Sequence, residues 1–271
     1  MNPAVRLPAV AGAFYSGDPA ELAADVEALL AHAHPKPDVR QPKAVIAPHA
    51  GYIYSGPTAA DAYARLAPWR DTIRRVILLG PTHRVPVRGL AASSAEFFST
   101  PLGRIPLDRE AIASLSDLNQ VAVSDSAHAW EHSLEVHLPF LQTVLGDFSL
   151  VPLAVGHATA DEVAQVLERL WGGPETLFVI SSDLSHYLPY TTACQTDRAT
   201  CERILALDPR IVPDQACGAF PINGLLLAAK RHGLEPEMVH LCNSGDTAGD
   251  KSRVVGYAAF AFYDEKEAEN G

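Results

Sequence analysis

Apolar positions in this chain gather into short continuous runs separated by longer amphipathic stretches. Residues 44–49, 74–80, 148–157 and 176–183 are β-branched or leucine-rich and close on Pro, Gly or Ser. Strands buried on both faces of a sheet read this way. Two further runs, 236–242 and 253–263, have the same character. Between them the spacing turns helical. PTAADAYARLAPW (57–69), REAIASLSD behind a capping Asp108, and ATADEVAQVLERLW behind Thr159 each predict a helix. Helices are also predicted near 191–206 and 221–232. Over 131–145, Leu134, His137, Leu138, Leu141 and Leu145 fall near one helical face. The stretch RGLAASSAEFFSTPLGRIPLD reads as hairpin-like.

Alternating β and α units predict an α/β fold, a layered sheet with helices on both faces. RVVGYAAFAFYD follows the Cys242 loop closely, so it is expected to pair antiparallel with its neighbour and make the sheet mixed. No Ser/Gly/Pro-rich linker and no 20–50-residue repeat interrupts the chain, which predicts one domain over residues 1–271. The acidic end, from about residue 264, is expected to be a frayed tail.

Composition narrows the function. The chain has 271 residues, 48% of them hydrophobic and 20% charged, an ordinary globular balance. A formal net charge of -11 and the absence of a basic run argue against binding a phosphate backbone. No apolar stretch approaches the roughly 20 residues needed to span a bilayer, and the N-terminus lacks a signal-peptide pattern. The cysteines, Cys194, Cys201, Cys217 and Cys242, match neither a zinc knuckle nor a disulfide framework. A reducing, cytoplasmic setting is the expectation.

The chemistry-bearing residues sit where the apolar runs end: His49 in PHAGYIYSG, His83 in GPTHR, Asp183 and His186 in SSDLSHY, and Cys242 in LCNSGDT. In open α/β sheets ligands gather beyond the carboxyl ends of the strands, so these residues are expected to meet in one pocket. Each also has a plain structural reading: a hydrogen-bonded turn histidine, an Asx-turn aspartate, a buried thiol. Tyr52 and Tyr54 could wall such a pocket, and Glu131 and His132 could reach it. WEHSLEVH is not the HExxH zinc signature, because His132 and His137 are five apart and point about 140° away from each other on a helix. His32, His34, His128, His157, His232 and His240 carry no comparable context, and Cys194, Cys201 and Cys217 read as structural. With no GxGxxG, Walker loop or GxSxG elbow, nucleotide binding and serine hydrolysis lose their usual support.

Taken together, RLPAVAGAFY, PHAGYIYSG, GPTH, EHSLEVHLPFL, SSDLSHY and CNSGDT resemble the Memo family, from about residue 6 to residue 260. Its microbial members are called AmmeMemoRadiSam system protein B. The family is similar in fold to the class III extradiol ring-cleaving dioxygenases, a mixed sheet flanked by helices. Those enzymes hold non-haem Fe(II) with two His and a carboxylate. The resemblance implies His49 and His83 as ligands, Cys242 in the carboxylate's place, and His186 as acid/base with Asp183 orienting it. A thiolate ligand widens the metal choice from Fe(II) toward Cu(I) or Zn²⁺. A radical SAM protein and an AMMECR-domain protein are the implied partners. The expected function is a metal-dependent oxidoreductase. The alternatives are a non-catalytic module docking a peptide or partner in the same cleft, and a hydrolase using Cys242 with His186.

Overall fold

A computed structural model of the chain describes residues 4–34 and 40–264. In chain order, the first half contains β1 (Val5–Arg6), α1 (Pro19–His32), β2 (Pro42–Ala47), α2 (Tyr52–Tyr63), β3 (Arg75–Pro81) and β4 (Leu90–Ala92). Next come β5 (Phe97–Thr100), β6 (Gly103–Pro106), α3 (Arg109–Ala113), β7 (Val121–Val123), α4 (Asp125–Ala129) and α5 (Leu138–Val144). The remainder comprises β8 (Ser149–Val155), α6 (Ala160–Arg169), β9 (Thr176–Ser181), β10 (His186–Leu188), α7 (Tyr190–Leu205), α8 (Ala219–His232), β11 (Leu234–Asn243) and β12 (Val254–Asp264).

The main sheet runs β10-β12-β2-β9-β3-β8-β4-β7, with β11 also paired to β12. Its centre, β2-β9-β3-β8, is parallel, and those strands are buried almost without a break. Burial on both faces explains why they read as continuous apolar runs rather than as alternating ones. The sheet is mixed as expected: β12 lies antiparallel to both β2 and β11, with Cys242 opposite Tyr257. Helices flank it, and α6 carries the capping box foreseen at Thr159, whose hydroxyl accepts the Glu162 N–H while Glu162 returns to the Thr159 N–H. Asp108 likewise caps α3 by accepting the Ala111 N–H at 2.9 Å.

Three expectations need correction. The hairpin-like stretch splits: β4 joins the main sheet beside β8, while β5 and β6 form the hairpin within a small second sheet with β1. The helix expected to start at 57 begins at Tyr52, whose N–H bonds Phe14 O, and contains Pro57. The helix expected over 131–145 forms only as a 3-10 turn, Glu135–His137, followed by α5. Pro139 sits in the first turn of α5, where its missing N–H costs nothing, whereas inside a longer helix its ring would clash with the preceding turn. Glu135 is drawn away as well. Its buried carboxylate pairs with Arg6, accepts the Ala9 and Val10 N–H groups at 2.7 and 3.0 Å, and accepts the Tyr15 hydroxyl at 2.5 Å. A buried charge persists only when paired and hydrogen-bonded in this way. The acidic tail falls outside the described residues. Among those described, no helix is long and apolar enough to cross a membrane.

Candidate metal centre

Three parallel strands deliver chemistry to one edge. Ala47 and Ser181 are level in the β2–β9 register, and Leu79 is level with Ile180 between β3 and β9. His49, His83 and Asp183 each follow the last residue of their strand by two positions, so the topology brings them together as expected. They line a cavity of about 650 Å³ that also takes Phe14, Tyr54, His132, His186, Tyr187, Arg253 and Tyr257. Tyr187 at the rim has φ 58°, a left-handed backbone that bulky residues seldom adopt, and its ring lies 5.1 Å beneath the Arg253 guanidinium.

Within the cavity, His49, His83 and His132 place ligand nitrogens all within 4.8 Å of one another. Ring contacts repeat the closeness: His83 stacks on His132 at 4.7 Å, and His49 meets both edge-on at 5.2 and 5.3 Å. Two of these imidazoles are held neutral. Burial first, and then the neighbouring imidazoles, push the His49 pKa well below its ordinary value. The same causes lower His132 to about 4. A neutral imidazole keeps one nitrogen lone pair free for a metal.

Hydrogen bonds decide which nitrogen that is. The Ser181 hydroxyl donates to Ser133 O at 2.6 Å, so its oxygen accepts from His49 Nδ1, also at 2.6 Å. This leaves the lone pair on His49 Nε2, where the Cys217 thiol approaches to 3.4 Å. The Glu131 carboxylate accepts His83 Nδ1 at 2.8 Å and the His83 N–H at 2.5 Å, which frees His83 Nε2 in the same way. Glu131 is almost wholly buried, which alone would raise its pKa. The bonds and charge from His83 and the Ser133 N–H overcome that and bring it to about 2. Carboxylates or carbonyls gripping the outer nitrogen are the usual support of a metal-binding histidine. Residues 131–133 therefore serve all three rings: Glu131 holds His83, His132 is itself in the cluster, and Ser133 anchors the serine that holds His49. Gly80 lets this segment approach, since a Cβ there would come 2.8 Å from Ser133 Oγ.

The structure rearranges the other expected roles. Cys242 is not in the cavity; it lies on β11 at the sheet edge, with Sγ 3.1 Å from Oγ1 of Thr58 on α2. A different thiol, Cys217, lies beside His49, with Sγ 3.4 Å from Nε2, behind the cavity wall. Burial, then the nearby Asp183 charge, pushes its pKa up to about 12. Cys217 immediately precedes Gly218 and α8, and a Cβ on Gly218 would meet Ser181 O at 2.5 Å, so only glycine lets this loop rest on the end of β9. Asp183 is buried, and burial raises its pKa to about 7 against bonds from the His49 and Ala50 N–H groups. It therefore positions His49 through the backbone, where the resemblance implied a grip on His186. His186 lines the cavity, and burial lowers its pKa. Tyr54 is in the wall, but Tyr52 is not: its hydroxyl donates to Val136 O at 2.8 Å within the core. His132 enters the cluster because residues 131–134 are not helical, so the angular argument against it does not apply.

Fold and cluster define a mixed α/β protein that presents a three-imidazole group at the ends of its parallel strands. A family model described as "Memo-like protein" matches residues 6–261. The chain is 35% identical over 284 residues to a MEMO1 family protein of Sulfolobus acidocaldarius, covering 96% of this chain and all of that one. It is 37% identical to one of Ignicoccus hospitalis, covering 95% and 98% of the two chains. It is 38% identical to one of Methanopyrus kandleri, with 95% and 98% covered. The chain belongs to the Memo family. A crystal structure of an uncharacterized protein from Escherichia coli K12 shares the fold, with TM-score 0.54 and 14% identity over 81% of this chain and 99% of that one.

Proposed function

We propose that this protein is a metal-dependent oxidoreductase whose ion is held by His49, His83 and a third donor from His132 or Cys217. The observation that carries the reading is the tautomer control: two of the three rings have their outer nitrogen tied to a hydrogen-bond acceptor, which aims the other nitrogen into the cavity. A plain structural histidine needs only one satisfied nitrogen, not three rings converging. The donor set fits a first-row ion; imidazoles accept iron, copper or zinc, and a thiol shifts preference toward Cu(I) and Zn²⁺. Fe(II) is the ion we assign first. When bound, such an ion supplies Lewis acidity and, for iron or copper, one-electron redox capacity.

The chain's own groups do the rest. Asp183 fixes the His49 backbone through the N–H groups of His49 and Ala50. His186, kept neutral by burial, stands in the same cavity able to accept a proton from a bound substrate. Phe14, Tyr54 and Tyr257 give the cavity aromatic walls that limit water around the histidines. Metal analysis of anaerobically purified protein tests the reading. Wild type and Cys242→Ser are expected to carry near-stoichiometric metal, with His49→Ala and His83→Ala depleted at least about tenfold. Undiminished metal in both histidine variants would overturn it, and Cys217→Ser beside the wild type sorts the third donor.

A further inference from the structure

A second thiol stands outside the histidine cavity. β11 forms an edge of the main sheet, and residues two apart on a strand share a face, which brings His240 and Cys242 to one side. α2 lies against that side. Its Thr58 and Asp61, three apart and so neighbours on the helix surface, face the strand. Thr58 Oγ1 is 3.1 Å from Cys242 Sγ, and Asp61 Oδ2 bonds His240 Nδ1. The other Asp61 oxygen accepts the His34 N–H at 2.9 Å, which fixes the carboxylate. Along that face of β11 the His240 ring and the Cys242 thiol are neighbours, each held by its own contact from α2. His240 and Asp61 open onto a cavity of about 660 Å³ walled also by His32, His34, Tyr52 and Pro57. Cys242 is part-exposed rather than sealed in the core.

We propose that Cys242, His240 and Asp61 form a second reactive centre, a nucleophilic thiol paired with a positioned imidazole, that takes small organic disulfides from the adjoining cavity. Asp61 holds the ring by its Nδ1–H, and the ring holds the proton that the thiol gives up. The Cys242 sulfur attacks one sulfur of the disulfide; that S–S bond breaks as the protein–ligand S–S bond forms. The departing thiolate takes the proton back from His240, so one disulfide is consumed, one mixed disulfide and one thiol are made, and no electrons are left over. Thr58 stands at the sulfur as a hydroxyl able to donate to the thiolate. The neighbouring Cys242 sulfur, opposed by burial and reinforced by Asp61, raises the His240 pKa to about 9, consistent with a ring that keeps the proton near neutrality. The inference is independent of the metal reading, because none of these residues lines the histidine cavity.

The test uses dithiodipyridine near neutral pH, with release of the thiopyridone followed in time and the modified cysteine identified by peptide mass spectrometry. Cys242 is expected to react at least about tenfold faster in the folded wild type than in the same chain unfolded in urea, because the paired imidazole exists only on folding. His240→Gln is expected to remove that excess, and Asp61→Asn to reduce it about threefold by freeing the ring. A folded-state rate at Cys242 no greater than the unfolded one overturns the proposal without any variant. So does a folded His240→Gln protein that reacts at the wild-type rate.

Discussion

Two places in this molecule set a cysteine, a histidine and an aspartate side by side, and the two behave as opposites. At the strand ends, Cys217 Sγ lies 3.4 Å from His49 Nε2, and Asp183 takes the His49 backbone N–H at 2.8 Å. At the sheet edge, Cys242 accompanies His240, and Asp61 bonds the ring itself. What differs is the atom that each carboxylate touches. Asp183 locates its histidine without offering the ring a counter-charge, so burial drives His49 neutral. The Cys242 sulfur and then Asp61, which touches the ring itself, push His240 up to about 9 against burial. The first arrangement leaves a lone pair for a metal; the second leaves a cation beside a sulfur. Residue types alone do not distinguish a ligand set from a nucleophile, whereas the placement of one carboxylate does.

The contrast can be broken from several sides. The largest effect is expected from His83→Ala, which removes an imidazole of the cluster and should empty it of metal while leaving disulfide reactivity at Cys242 intact. Glu131→Gln keeps the ring but weakens its outer hydrogen bond; metal affinity, measured by competition with a chromophoric chelator, is expected to fall about 10- to 100-fold. At the other site, Asp61→Asn should lower the His240 midpoint only part of the way from about 9, because the Cys242 sulfur stays in place, as followed by the ring proton shifts in NMR. Metal content should not change.

The smallest effect is on stability against pH, and its sign differs between histidines. His240 binds its proton more tightly folded than unfolded, so its contribution is complete below about pH 6.5 and is lost as pH rises through about 9. His128 and His137 are buried and neutral, with pKa values lowered chiefly by burial to about 4 and about 3. The unfolded chain takes up their protons first, so stability should fall as pH drops below 6.5 toward those values. Urea midpoints across the range should therefore decline on both sides of neutrality, and His240→Gln should flatten the alkaline limb alone.

Much of this was legible in the sequence. The buried strands announce themselves because both faces are covered, and their ends locate His49, His83, Asp183 and His186 without any coordinates. The alternation of elements and the long motifs pointed to the Memo family and a mixed sheet. The rest depended on contacts that no local pattern records. Leu134, Leu138 and Leu141 keep a helical spacing, yet Glu135 is claimed by Ala9, Val10 and Tyr15 from the far end of the chain, and the helix gives way. That places His132 in the cluster. Cys217 and His49 are 168 positions apart, and only the seat of Gly218 against Ser181 brings them together. Cys242 ends an apolar run as the others do, but that run is the antiparallel edge strand β11, outside the parallel set β2, β9 and β3.

Residues 131–133 are in effect the tuning peg of the whole cluster. One displacement of this short loop would retune His83 through Glu131, carry His132 with it and slacken the grip on His49 through Ser133 and Ser181. Lesions there should consequently be non-additive, since the first already loosens what the second would remove. Glu131→Gln combined with Ser181→Ala is then expected to cost less metal affinity than the two losses summed. A ligand or protein that pulled on these three residues would address all three imidazoles with a single touch.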